Sequence, residues 1–187
     1  MKPPRFRPRV LGSRSVFENR WVRLLEKQVE LEAGAAPQSF YSLDPPDYIC
    51  AIATTEDGRF PLVRQYRPAV EAVTWEFPSG TLEPGEEPAN CARRELLEET
   101  GYISVGDTLL ATLTTDIGRL GNRICGFHCW GCVPRSSGWQ PEEGIEIHVV
   151  TRAELGLLID RGEFNFALHL AVWAAYLRVI EGGGVGR

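Results

Sequence analysis

Residues 80–102 read GTLEPGEEPANCARRELLEETGY. Its middle is expected to form one helix. Pro88 suits the first helical position, where a missing N–H leaves no intrahelical bond unmade. Glu86 and Glu87 place negative charge at the positive end of the helix dipole. Gly101 can take the left-handed conformation that closes a C-terminus. At about 100° per residue, Ala89, Ala92 and Leu96 fall on one stripe that packs inward. Glu95 and Glu99 border that stripe, and Glu98 lies just beyond Glu95. Side chains three and four positions apart are neighbours, so three carboxylates crowd along the rim of a packed face. Like charges so placed repel by roughly 0.2–0.5 kcal/mol per pair on an open helix, and by more in a cleft. Divalent cations would relieve this, and hard oxygen ligands suit magnesium or manganese. Arg94 stands beside the cluster and could pair with Glu86, fixing the preceding loop to the helix. Residues 94–99 taken alone also describe a Glu-rich surface helix with a few ion pairs.

The longer pattern separates the two readings. From Gly80 the chain runs G-x5-E-x7-R-E-U-x-E-E-x-G-U, with U a bulky apolar residue and Tyr102 in the last place. Seven fixed letters in this spacing arise by chance on the order of once in 10⁹ starting positions. The stretch resembles the Nudix box, the signature of the Nudix hydrolases. The resemblance implies hydrolysis of a nucleoside diphosphate linked to another moiety. It also implies Mg2+, or Mn2+, held by Glu95, Glu98 and Glu99 and by the backbone carbonyl of Ser79. Its fold would be α/β, a mixed sheet sandwiched between helices, with an N-terminal antiparallel strand or hairpin extension.

The flanking sequence extends the resemblance. Gln65-Tyr66-Arg67, followed by Trp75-Glu76-Phe77-Pro78-Ser79-Gly80, is similar to the ADP-ribose pyrophosphatase branch, which also hydrolyses other nucleoside diphosphate sugars. Arg67 would then meet a phosphate or a terminal ribose with its planar fork. It could equally be a strand-end arginine paired with a nearby acid. Glu76 would help hold the substrate or a dimer, or stand solvated on its strand. In this branch the first strands swap across a homodimer, which would let Phe17 and Trp21 stack on a partner's nucleobase; core or dimer packing is the other role open to them. Beyond the box, residues 114–122 read as a loop in which Arg119 and Asn122 could touch a sugar or phosphate. Ile117 stands where relatives often carry proline, so the resemblance leaves the substrate open between ADP-ribose and a GDP- or UDP-sugar. Glu142 and Glu143 precede the strand that carries His148. By resemblance Glu143 falls at a metal-ligand position, and the catalytic base is Glu142, Glu143 or a box glutamate such as Glu98. Arg94 completes the catalytic set. A Nudix-fold binding or regulatory module without turnover is the rival of a different class.

The remaining sequence sets bounds. A length of 187 residues suits one domain with a real core, here expected over residues 15–181 with dimerisation strands at 15–45. Residues 1–14 carry five basic residues and no acid, and with their three prolines they read as a flexible basic tail. Residues 182–187 read as a second flexible tail. A net charge of −5 argues against a nucleic-acid partner. No apolar run approaches the ~20 residues needed to span a membrane. Five cysteines, an odd number, favour a reducing compartment and a cytoplasmic location. The cysteines between positions 125 and 132 invite a zinc reading. However, strand alternation would put Cys125, Phe127 and Cys129 on one face and His128, Trp130 and Cys132 on the other, which denies one metal its convergence. Strands are expected over residues 21–31, 40–43, 48–55, 60–66, 75–77, 109–115, 124–133 and 145–150. Thr151 and Glu154 form a capping-box pattern opening a helix, and a long apolar helix spans residues 165–180.

Overall fold

The computed structural model describes residues 7–182, in two compact units. The first comprises the chain up to Pro46 together with Thr114–Asn122. Its strands β1 (Arg9–Glu18), β2 (Arg23–Glu30) and β3 (Gln38–Leu43) form an antiparallel sheet in that order. Sequence had assigned residues 1–14 to a flexible tail. Residues 1–6 lie outside the described residues, but from Arg9 onward the segment is strand. The reason lies in its basic residues, which become partners of β2: Arg9 donates to Glu30 and Arg14 to Glu26, each at 2.6 Å. At the β1–β2 turn the Asn19 side chain accepts the N–H groups of Trp21 and Val22, both at 2.8 Å. Such an Asx turn mimics a backbone turn and fixes the strand exit.

The second unit holds Asp47–Leu113 and the chain from Arg123 on. Strand β4 (Tyr48–Thr55) is its axis, and β5 is Phe60–Arg67. Next come β6 (Ala72–Glu76) and β7 (Ser79–Thr81), then helix α1 (Pro88–Thr100). Strands β8 (Tyr102–Ile103), β9 (Gly106–Thr114), β10 (Arg123–Pro134) and β11 (Ile145–Val150) follow. Helices α2 (Arg152–Asp160) and α3 (Ala167–Glu181) end the chain's described elements; Gly182 caps α3, and residues 183–187 of the expected tail lie outside the described residues. The five-stranded sheet runs β7-β4-β10-β8, with β9 also paired to β10, and β4 and β10 are parallel. A second, antiparallel sheet runs β11-β5-β6.

Alternation along β4 builds the mixed sheet's two covered faces. Cys50 and Ile52 join one apolar cluster with Leu155 of α2 and Val172, Trp173 and Tyr176 of α3. Ile49, Ala51 and Ala53 join the other, with Cys91, Ala92 and Leu96 of α1. A strand buried on both faces reads as a near-continuous apolar run, which is what residues 49–53 are. The expected sandwich of a mixed sheet between helices is therefore present. The α2 capping box is present as well: Glu154 N–H donates to Thr151 Oγ1 at 3.2 Å, and Thr151 N–H to Glu154 Oε2 at 2.7 Å.

One strand departs from simple alternation. The β10–β4 register slips between Cys129 and Cys132. This bulge returns Cys132 to the face of Cys125, Phe127 and Cys129, whereas alternation had put it opposite. All five cysteines are free and buried, and burial pushes the Cys129 and Cys132 thiols up to about 12 and about 11. His128 stays on the other face, where Nε2 meets Thr54 Oγ1 at 2.8 Å.

Candidate active site

The box begins where the chain turns into β7. Pro78 C=O accepts the Ala51 N–H at 2.8 Å, so those two residues form a hydrogen-bonded pair. Antiparallel alternation then makes Cys50 and Ser79, the next pair, a non-bonded one. The N–H and C=O of Ser79 consequently point off the outer edge of β7. That N–H donates to Glu99 Oε2 at 2.8 Å, and the carbonyl is directed to the same side. Gly80 has no side chain for a clear reason: a Cβ there would collide with the Glu95 carboxylate.

Helix α1 forms as the sequence suggested, with Pro88 in its first turn and Gly101 at φ 73° behind its last. Arg94 organises its outer edge. Nε and Nη2 grip the two oxygens of Glu86 at 2.9 Å each, in the bidentate fork that ties the loop to the helix. Nη1 reaches Glu95 Oε1 at 2.8 Å and Glu98 Oε2 at 2.9 Å. The fork, with the Glu83 N–H, holds the Glu86 carboxyl down to about 2.

Glu99 is the buried member of the three box carboxylates, 8% exposed rather than on a solvated rim. Burial, with the nearby charges of Glu95 and Glu76, pushes its carboxyl up to about 8 against the pull of the Ser79 N–H. Burial also raises Glu95, in spite of Arg94. Two carboxyls of one site thus resist ionisation for want of positive charge. By donor chemistry a divalent cation fits: hard oxygens, too much negative potential, and a glycine that leaves room for Glu95. Among the described residues no three acidic, His or Cys side chains converge on one point as they stand. Arg94 bridges Glu95 and Glu98 through one oxygen of each carboxylate.

Behind Glu99 lies a second charged pair. Arg67 makes a bidentate contact with Glu76, Nε to Oε1 at 2.8 Å and Nη2 to Oε2 at 2.6 Å, and Thr74 Oγ1 adds a bond to Oε1 at 2.6 Å. Glu76 is 2% exposed, so it is no solvated strand residue. Burial alone would raise its carboxyl, but the bonds from Arg67 and Thr74 hold it below the usual range. Of the two roles open to Arg67, the structure shows the pairing with an acid, formed across the β5–β6 hairpin.

Glu142 and Glu143 are exposed on the turn before β11, and their side chains bond to no other described residue. His148 packs against Trp75, ring centroids 4.7 Å apart, as a structural strand residue. Phe17, Trp21, Arg119 and Asn122 belong to the first unit. Phe17 is exposed, and Trp21 is 75% exposed with the Arg20 guanidinium 4.2 Å from its ring centroid. Asn122 Oδ1 accepts from Thr115 Oγ1 at 2.6 Å and Nδ2 donates to Pro46 C=O at 2.8 Å.

Sequence reasoning passed over two residues that reach this site from the opposite face of the sheet. Tyr48 Oη contacts Ser79 Oγ at 2.5 Å and His169 Nε2 at 3.2 Å. His169 is fully buried, and it is the sole polar residue in the apolar run at positions 167–176 apart from Tyr176. A polar ring inside such a run was the available signal. Trp139 was also missed; its Nε1 donates to the Glu98 carbonyl at 3.1 Å, and its ring fills the space over Gly101.

The NUDIX domain family matches residues 44–165. An ADP-ribose pyrophosphatase of Bacillus subtilis (strain 168) is 33% identical over 110 residues, 59% of each chain. A methanol dehydrogenase activator of Bacillus methanolicus is 36% identical over 97 residues, 52% of each chain. The aligned part thus spans between half and three-fifths of these relatives. The crystal structure of an ADP compounds hydrolase superposes with a TM-score of 0.81, covering 96% of this chain and 97% of that one. Sequence identity there is 20%, so that likeness is one of fold.

Proposed function

The chain belongs to the NUDIX family, and from that premise we propose that it hydrolyses the pyrophosphate bond of ADP-ribose or a related nucleoside diphosphate sugar. The products are a nucleoside monophosphate and a sugar phosphate. One observation carries the reading: Arg94, Glu95, Glu98 and Glu99 share one edge of α1, and Glu99 is bound to the backbone of Ser79. A silent binding module has no need of buried carboxyls whose charge is left unbalanced.

Glu95, Glu98, Glu99 and the Ser79 carbonyl are the groups that would hold Mg2+ or Mn2+. Such a cation supplies charge neutralisation at the pyrophosphate and lowers the pKa of a bound water. The chain's own contribution is orientation and proton transfer. Arg94 locks loop and helix together through Glu86, so the carboxylates keep their spacing. The proton of the attacking water goes to a carboxylate with access to solvent. Glu98 is the most exposed of Glu95, Glu98 and Glu99, and Glu142 and Glu143 are the candidates on the loop. Arg67, half-exposed and held by Glu76, offers its remaining N–H groups to a phosphate or ribose. Phe17, Trp21 and Arg119 are the first unit's candidates for base and sugar contact in a homodimer. The net charge of −5 favours a small-molecule substrate over nucleic acid. Five free thiols favour a reducing, cytoplasmic setting, and among the described residues no helix is long and apolar enough to cross a membrane.

Incubating the protein with Mg2+ and a panel of ADP-, GDP- and UDP-sugars, with products resolved by chromatography, tests the proposal. ADP-ribose is expected to give AMP and ribose 5-phosphate. Faster turnover of a GDP- or UDP-sugar would move the substrate within the class. Binding without product in excess Mg2+ would leave a regulatory module. In the same assay Glu99→Gln should lose at least about tenfold in rate, a barrier increase of ~1.4 kcal/mol. A variant retaining more than that removes Glu99 from the chemistry.

A further inference from the structure

We infer that Tyr48 and His169 are positioning residues for Glu99, acting through Ser79. The inference rests on reading Glu99 as a functional carboxylate of the box, and it concerns the side of the sheet away from α1.

The direction of every bond in the chain is fixed at one end. The peptide N–H of Phe77 can only donate, and its acceptor is His169 Nδ1 at 3.1 Å. Burial pushes the imidazole down to about 3, so the ring is neutral. A neutral ring whose Nδ1 accepts carries its hydrogen on Nε2. That hydrogen is donated to Tyr48 Oη at 3.2 Å. Tyr48, having accepted, turns its own hydrogen to Ser79 Oγ at 2.5 Å. Ser79 is 5% exposed and gripped twice. Its hydroxyl is held by Tyr48 from the α3 face, and its N–H holds Glu99 Oε2 at 2.8 Å toward α1.

No other hydrogen bond to Glu99 occurs among the described residues, so the backbone of Ser79 sets where that carboxylate sits. Packing alone does not require such a chain. His169 is ringed by Phe77, Phe164 and Phe166; an apolar residue of the same size would fill the space but orphan the Phe77 N–H, and satisfying that N–H does not by itself require the links on to Tyr48 and Ser79. What the histidine and tyrosine add is a set of donors with one permitted direction, ending on the residue whose backbone meets the box.

Amide hydrogen exchange by NMR supplies the test, because it needs neither metal nor substrate. In Tyr48→Phe the Ser79 amide should exchange at least about tenfold faster, since the hydroxyl clamp is lost while the ring remains. The Gly80 amide faces Ile49 in the β4–β7 ladder and is the internal control, expected to change little. Mn2+ binding followed by electron paramagnetic resonance should weaken by about tenfold in the same variant. His169→Gln keeps a donor near the Nε2 position and should stay close to wild type. His169→Asn keeps only an acceptor near Nδ1 and should behave like Tyr48→Phe. Equal acceleration of Ser79 and Gly80, or an unchanged Ser79, overturns the inference; so does unchanged Mn2+ affinity. Should the histidine variants fail to fold, the nearly isosteric Tyr48→Phe decides alone. A wild-type protein that cleaves no nucleotide sugar, with Ser79 exchange still following Tyr48, would end the proposed function and leave the positioning role standing.

Discussion

Glu99 and His169 are both buried ionisable groups, and burial drives each toward its neutral form from opposite sides. The carboxyl is pushed up to about 8 and the imidazole down to about 3. For His169 the consequence for stability has a definite sign. The folded ring stays unprotonated well below the ordinary value of 6.5, so between pH 6.5 and 3 the unfolded chain binds the extra proton. The contribution is therefore complete above pH 6.5 and is lost as the pH falls through that window. Thermal melts at a series of pH values should show a steep acid limb in the wild type and a shallower one in His169→Gln. The curves should converge in shape above neutrality. An acid limb equally steep in both proteins would assign the loss to other groups.

At the scale of elements, α1 depends on what lies past its end. Gly101 sits at φ 73° and donates its N–H to Leu97 C=O at 2.9 Å. A Cβ at this position meets two penalties at once: left-handed backbone, and the ring of Trp139. Gly101→Ala should cost about 1–2 kcal/mol from the backbone alone, with the collision added. By the size scaling of melting temperature that is a fall on the order of 5 °C. Adding Trp139→Ala should remove the collision and return part of the loss, never all of it, in differential scanning calorimetry. An unchanged melting temperature in Gly101→Ala would contradict the geometry. The same helix shows why some elements were legible in the sequence. Its proline, its closing glycine and its apolar stripe are local signals, as are the Thr151–Glu154 box and the apolar run of β4. Strand β1 gave no such signal, because all ten of its residues are exposed and its form comes from pairing with β2. Strands β7 and β8, three and two residues long, are set by their neighbours in the sheet. Cys132 was assigned the wrong face because a bulge cannot be seen in an alternating pattern. In the site, the Arg94–Glu86 clamp was readable from the box. An acid partner for Arg67 was one of its two readings, but not that the acid is Glu76; the Tyr48–His169 chain was not legible, since it joins residues that only the folded sheet and α3 bring together.

For the whole molecule, the open question is what the first unit's sheet is for. Register places Val10 opposite Val29 and Phe40 opposite Lys27, so these four side chains share one face with Leu25. On the other face Glu26 and Glu30 are neutralised by Arg14 and Arg9. Val10 and Phe40 are 58% and 44% exposed in the single chain. A three-stranded sheet with exposed apolar residues and an open β1 edge is marginal alone and prone to pairing. A second copy of the chain, related by a two-fold axis, would cover that face with the same face of its partner. A stable interface of this kind needs to bury roughly 1,200–2,000 Å² in total. Light scattering on the wild type at micromolar concentration is expected to give twice the chain mass. Val10→Asp with Phe40→Asp places charge on the shared face without touching the ion pairs behind it, and should give the mass of one chain. A wild-type monomer removes the dimer and, with it, any contribution of Phe17 or Trp21 to a partner's substrate. A double variant that stays dimeric moves the interface off this face while keeping the two-fold assembly.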